Sequence, residues 1–432
     1  MPHQNSLPTT LLLVLAFLSA PRVFAEELSA NTAAAGTAPI KTTSNDWPWW
    51  RGPGRDGVAA DGQTPPISWS DTSNVAWKVA IPGQGHGSPS VLGAHVFLAT
   101  SNRAAGTQTV FCLDRKTGET AWKTIVHRGP LETRGNKKSS QASCTPACDG
   151  QKIYVNFLHK GAVVTSALDL TGRIVWQTTV SNYRTHQGFS SSPCLFGSLV
   201  LVSADNRGGG AVVAMSRATG KVAWKQARPK KANYTSPIVL RVSGRDQALM
   251  VGTNLVSSYD PQTGKKLWEI DGATTECVTS VVTDGTRIFT SGGYPRNHVQ
   301  AVLADGSGKT AWQNNQRVYV PSMVAHKKTL YAVLDAGIAT AWDTTTGKTL
   351  WKKRLGGVFT SSLVLAGGNL YATDESGQTT VFAASREGLD IKAKNRLGQQ
   401  TYSSMAICGS RIFHRVATTD GSRKEWLYCL SR

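Results

Sequence analysis

"LDRKTGETAW", residues 113–122, decides the fold, because the chain says nearly the same thing five more times. "ALDLTGRIVW" ends at Trp176, "MSRATGKVAW" at Trp224 and "YDPQTGKKLW" at Trp268. "LADGSGKTAW" ends at Trp312 and "WDTTTGKTLW" at Trp351. Five copies read T-G-x-x-x-W and one reads S-G-x-x-x-W. Successive tryptophans lie 54, 48, 44, 44 and 39 residues apart, a period that marks a repeat architecture.

Each unit carries a second landmark, a Ser/Thr step into a strand-like run that reaches a turn. "GSPSVLGAHVFLAT", "CTPACDGQKIYVNF" and "SSPCLFGSLVLVSA" come first. "TSPIVLRVSGRDQALMVG", "TSVVTDGTRIFTSGG", "PSMVAHKKTLYAVLD", "TSSLVLAGGNLYATD" and "SSMAICGSRIFHRV" follow. Polar and apolar residues alternate between Gly, Asp and Asn punctuation, as in antiparallel hairpins. Four short strands in about 45 residues is one propeller blade.

Eight strand starts need eight outer strands. Six end the copies above, and a degenerate one lies near "REGLDIKAKNRL". The last is "NVAWKVAIPG", with Trp77, ahead of the first repeat. The chain ends after three strands of its final blade, so the Trp77 strand is expected to complete it and remove the open edges. The fold class is therefore all-β: an eight-bladed β-propeller of four-stranded antiparallel blades, closed by its N-terminal strand.

The motif has a physical reading. Asp or Thr bonds the turn backbone and Gly takes positive φ without steric cost. The Trp then docks on the turn of a neighbouring blade. Burying one indole hides about 150–250 Å², worth at most about 4–6 kcal/mol before entropy. Trp77, Trp122, Trp176, Trp224, Trp268, Trp312 and Trp351 form this structural girdle, seven of the 13 tryptophans.

These motifs resemble the pyrroloquinoline-quinone (PQQ) repeat propellers over roughly residues 70–432. That superfamily holds quinoprotein alcohol dehydrogenases and BamB-like outer-membrane-assembly propellers. The opening "WPWWRGPGRDGV" is similar to the N-terminal signature of exported, BamB-like members. For the dehydrogenases the resemblance implies PQQ in the central funnel, an adjacent Cys-Cys disulfide, Ca²⁺ on acidic and amide side chains, and an Asp base. This chain has no Cys-Cys pair and lacks the long insertions of those enzymes. Glu276 is its best acidic candidate, far from the six or more oxygens that Ca²⁺ wants. No catalytic residue, metal ligand or cofactor is assigned, with PQQ and Ca²⁺ kept as the alternative. A non-catalytic envelope scaffold with a protein partner is the first reading; a PQQ-dependent dehydrogenase and an anionic-polysaccharide binder are the alternatives.

The ends and the composition frame that reading. Residues 1–25 read as a signal peptide with cleavage after Ala25, giving a periplasmic or secreted protein that does not span the membrane. No cysteine follows the cleavage site to take a lipid. Residues 26–46 read as a flexible tether, 47–74 as a Trp-rich arm packing on the propeller, and 75–432 as the propeller. With 47 Lys and Arg against 27 Asp and Glu, the net charge is +20. That field favours anionic envelope partners over nucleic acid in an exported chain. The chain is read as a monomer. Its seven cysteines sit in apolar strand-like runs and read as small buried hydrophobes.

Candidate binding residues follow from position. His86 and His186 precede strand starts, where a propeller opens its channel, and Tyr234, Glu276, Tyr319 and Tyr402 hold comparable places. They either form a polar-aromatic ring for a ligand or peptide or simply hydrate the channel mouth. The loop 127–141 makes the longest repeat step and carries Arg128, Arg134, Lys137 and Lys138. Long loops on a rigid scaffold are where binding resides, and a solvated basic loop is the alternative.

Overall fold

The computed structural model describes residues 39–432, so the leader at 1–25 and the tether up to residue 38 lie outside the described residues. The regular elements described are β-strands, paired into eight four-stranded antiparallel sheets. The chain is an eight-bladed β-propeller. Blades 1 to 7 are continuous in sequence, at 90–128, 147–182, 194–228, 238–271, 282–314, 324–354 and 364–396. In blade 8 the strands Ala406–Cys408, Arg411–Thr418 and Lys424–Leu430 are completed by Val75–Ile81. Trp77 pairs with Cys429 and Val79 with Leu427, which closes the ring.

Each blade starts at the channel and works outward. Because its strands alternate in direction, inner strands begin on one face, here the upper, and both the first and the third turns of a blade lie on the lower. The Thr-Gly motif is the third turn. Asp114 Oδ1 accepts the N–H groups of Lys116 and Thr117, both at 2.8 Å. Gly118 sits at φ 79°, and a Cβ there would lie 2.6 Å from the Trp77 indole of blade 8. Glycine is therefore required both for its backbone angle and for the close approach. The Trp77 indole N–H bonds the Arg115 carbonyl at 3.1 Å. The same bond links Trp122 to Leu170, Trp176 to Arg217, Trp224 to Pro261 and Trp312 to Thr344. Each tryptophan staples its blade to the turn of the next.

Two blades depart from this pattern. Trp268 donates to the Gln247 side chain at 2.8 Å, and Gln247 in turn donates to the Ala304 carbonyl of blade 5 at 2.7 Å. Gln247 thus relays the bond to a turn in which Ala304 stands where the other motifs have Asp or Ser. In blade 7 Ala393 occupies the girdle position, opposite Val381 and beside the usual bulge. The arm repairs this gap: Trp69 stacks on Tyr371 with ring planes 11° apart, and Asn395 clasps its backbone. Trp77 on Phe413 and Trp351 on Tyr331 make the equivalent contacts elsewhere, though with tilted rings.

Between blades the described apolar residues pack into separate buried clusters, with buried ion pairs such as Arg217–Asp149 among them. All seven cysteines are buried and unpaired, and burial pushes the Cys144 and Cys277 thiols up to about 12. His414 is also fully buried, with neither ring nitrogen hydrogen-bonded, and burial holds it at about 3. An unfolded chain takes up that proton near the ordinary histidine value of about 6.5. Stability is therefore complete above that pH and declines as pH falls toward about 3. At pH 5 this one residue is expected to cost about 2 kcal/mol. Melting curves between pH 7.5 and 5 should steepen in the parent and flatten in His414→Phe; equal slopes would exclude the assignment.

Candidate functional site

The Ser/Thr landmarks at the strand starts turn out to be one object. Ser88 N–H bonds the Thr145 hydroxyl, Thr145 N–H bonds Ser192, and Ser192 N–H bonds Ser236. On the other side Ser280 N–H bonds Ser322, Ser322 bonds Ser362, Ser362 bonds Ser404, and Ser404 bonds Ser88. These seven bonds, 2.8–3.0 Å long, form a belt around the channel through all eight blades. The eighth step, from Ser236 to Ser280, carries no such bond. There the Ser280 hydroxyl accepts the indole N–H of Trp50 at 2.7 Å.

Strand alternation sets what lies above and below the belt, since residues two apart share a face. Two residues earlier the eight blades present His86, Ser143, Ser190, Tyr234, Val278, Val320, Thr360 and Tyr402, which line a funnel of about 570 Å³. Three residues later the inner strands meet the arm. Trp47 makes a bridge with Val91, Cys148 N–H bonds the Pro48 carbonyl, and Arg55 donates to the Leu195 carbonyl. Arg51, 2% exposed, donates to the carbonyls of Met323 and Leu363 and to that of Asp56. Ala59 N–H reaches Leu365, and Thr64 reaches Ser410. The arm bonds seven of the eight blades and seals the channel from below. Its glycines have clear causes: a Cβ on Gly57 would meet the Arg51 guanidinium at 2.4 Å. Ordered structure also begins before residue 47, because buried Asp46 accepts the Gly93 N–H at 2.9 Å.

All six sequence-selected residues line the funnel, in two groups. His86 and Tyr402 pack with ring centroids 4.5 Å apart, and Lys138 Nζ lies 5.6 Å from the Tyr402 ring. Burial first, then the charges of Arg415, Arg423 and Lys138, hold His86 well below the usual imidazole range. Across the funnel Glu276, its side chain 5% exposed, lies 3.2 Å from His186 Nε2 and accepts from the Tyr319 hydroxyl at 3.3 Å. Arg207 lies 4.0 Å from the same carboxylate and 2.8 Å from His186. Burial and then the charge of Glu276 raise Tyr234 and Tyr319 above the usual phenol range, so both stay protonated donors.

The basic loop divides. Lys138 joins the funnel wall and pairs with Glu375 at 2.7 Å. Arg134 lines a separate groove with Asn206 and Gly209, while Arg128 and Lys137 are exposed away from both. Arg207 and Trp50 complete the funnel, and neither is marked by a strand start. Arg207 sits on the hairpin turn between the second and third strands of blade 3. Trp50 arrives from an arm 230 residues away in sequence from its partner Ser280.

A closed eightfold ring with a Thr-Gly turn and a Trp staple in its repeats defines the chain as a PQQ-repeat β-propeller. Its family can be stated more closely. The family model described as outer membrane protein assembly factor BamB matches residues 58–198, 106–353 and 295–392, and the chain belongs to that family. A relative from Burkholderia pseudomallei (strain K96243), named outer membrane protein assembly factor BamB, is 29% identical over 285 residues. That match covers 61% of this chain and 64% of the relative, under two thirds of its length. Among solved structures, BamB from Moraxella catarrhalis superposes with a TM-score of 0.57 at 14% identity, covering 82% of this chain and 96% of that one. A europium-containing methanol dehydrogenase gives 0.64 at 12% identity, covering 91% and 99%. The quinohemoprotein alcohol dehydrogenase from Comamonas testosteroni gives 0.63 at 12%, covering 93% and 82%. At these identities the solved structures share the fold alone.

The funnel's donor set does not fit the Ca²⁺-bound PQQ implied for the dehydrogenase branch. Glu276 is the one carboxylate among the described residues lining it, and His186, Arg207 and Tyr319 already surround that group. Among the described residues no three His, Cys, Asp or Glu side chains gather as metal ligands. Ca²⁺ takes six to eight oxygens, several of them carboxylate.

Proposed function

We propose that the protein is an exported, non-catalytic scaffold of the cell envelope, BamB-like in type, that holds a protein partner on its upper face. The observation that carries this is the difference between the two faces. The lower is sealed by the chain's own arm. The upper opens as the funnel, with Tyr294 at its rim 55% exposed and Val358 on a neighbouring connection 53% exposed. Large exposed apolar groups beside a polar concavity suit a protein interface. Family membership supports an envelope role, and no described helix is long and apolar enough to cross a membrane.

A photo-crosslinking residue placed at Tyr294 or Val358 in cells should give one discrete protein adduct, and the same residue at exposed Lys352 should not. Absence of a face-specific adduct would refute the scaffold. So would stoichiometric binding of PQQ with Ca²⁺ accompanied by dye reduction.

A further inference from the structure

The hydroxyl belt has donors to spare. Each Ser or Thr oxygen in it except that of Ser280 accepts a backbone N–H, which occupies one lone pair and leaves its own O–H to be donated. Among the described residues, Ser88, Thr145, Ser236, Ser362 and Ser404 accept such a bond and donate to no other protein group. All five line the funnel. One further buried polar atom in the same wall, His86 Nε2, lacks a hydrogen-bond partner, and the hydroxyl of Tyr234, a residue only 7% exposed, has just the Gln187 backbone beside it. Leaving a buried polar group unpaired costs about 1–3 kcal/mol. A wall that gathers several such groups is therefore organised toward whatever fills it.

The chemistry of that occupant follows from the wall. Hydroxyl groups that rotate, donating and accepting, match a ligand that is itself rich in hydroxyls. The rings of Tyr234, Tyr319 and Tyr402 line the same wall and add apolar surface to it. Lys138 and Arg207 are half-exposed while the carboxylates beside them, Glu375 and Glu276, are 18% and 5% exposed, so a ligand meets the cations first and carries negative charge. A volume of about 570 Å³ falls in the range of about 300–1,000 Å³ usual for small-ligand sites. An extended peptide fits less well, because it needs free backbone groups to pair with. The N–H groups of seven of the eight belt residues are already committed to neighbouring hydroxyls.

We propose that the funnel is a binding site for a short acidic saccharide, its carboxylate drawn to Arg207 and Lys138 and its hydroxyls seated on the Ser/Thr belt and Tyr234. This site stands on the funnel's own chemistry and does not depend on the scaffold reading.

Calorimetric titration of the full-length protein tests it with three probes: trigalacturonate, its methyl ester, and a triglutamate peptide of equal charge. One trigalacturonate should bind per chain, about tenfold tighter than the ester and more weakly as salt rises. Tyr234→Phe keeps the ring and removes only the hydroxyl, and should weaken binding of both saccharides about fivefold. Arg207→Gln, at a half-exposed side chain, should erase the preference for the acid without moving the ester's affinity or the melting temperature. Failure of both saccharides to bind at millimolar concentration overturns the site. So does triglutamate binding as tightly as trigalacturonate, or affinity unchanged in Tyr234→Phe.

Discussion

A chain carrying Trp47→Ala and Trp50→Ala should melt about 6–8 °C below its parent. Trp47 is 2% exposed and lies in the core cluster between blades 8 and 1, where Gly52 is pressed against its ring. Emptying such a site costs about 3–5 kcal/mol. Trp50 is only partly buried, but its indole N–H fills the gap in the belt at Ser280 and its ring packs on the core of blades 4 and 5. Its loss adds about 2 kcal/mol. For about 390 ordered residues, about 0.8 kcal/mol corresponds to one degree. The alternative is that the arm peels away locally and leaves the propeller's own transition unmoved. That outcome is disfavoured because the arm bonds seven blades and buries the Arg51 guanidinium among their carbonyls. Burial lowers Arg51 only to about 10, so it remains charged at neutral pH, and detaching the arm exposes carbonyls of blades 6 and 7 that it now caps. Scanning calorimetry decides between them: a double variant melting within one degree of the parent would show an appended strap.

How much of this was legible in the sequence depended on whether the physics was local. The Thr-Gly turns were, because Asp114, Thr117 and Gly118 act within six residues and recur at fixed spacing. Ring closure was too, since counting outer strands leaves Trp77 as the one to complete blade 8. The six funnel residues could be chosen because strand starts mark the channel mouth. Which of them touch could not, because the contact of His186 with Glu276 depends on how two distant blades face each other. The Ser/Thr landmark was visible eight times as a signpost, yet its purpose appears only when Ser404 meets Ser88 across 316 residues. The arm was hardest. Trp50 and Trp69 answer defects in the repeat, the missing belt bond at Ser280 and the missing girdle indole at Ala393. A repeat announces its own regularity, whereas a segment that repairs irregularity has no periodic signal to carry it.

Closure makes the sharpest prediction. A chain beginning at residue 83 lacks the strand Val75–Ile81 and should fail to give a soluble cooperative fold. One beginning at residue 71 keeps that strand, loses the arm, and should fold with a lowered melting temperature. Without Val75–Ile81 the strand Lys424–Leu430 becomes an open edge carrying Leu427, Tyr428 and Cys429, an invitation to pair with other chains. Trp77 goes with it, and with Trp77 the staple to the Gly118 turn of blade 1. What still joins blades 8 and 1 is the Ser404–Ser88 belt bond, the bonds from Arg415 to the Ala99 carbonyl, from Gly85 N–H to Glu425, from Arg115 to the Cys408 carbonyl and from Arg411 to the Arg115 carbonyl, and the remaining apolar contact. Each such bond contributes about 1 kcal/mol net, rather more where a charged group is involved, too little to hold a ring whose last sheet has lost a strand. Supplying residues 71–83 as a peptide should restore a monomeric species, because the vacant edge takes an added strand in register with Leu427. Size-exclusion chromatography and dye binding to exposed apolar surface read the result. If the chain from residue 83 elutes as a monomer and melts where the chain from residue 71 does, the N-terminal strand decorates the last blade and does not close the ring.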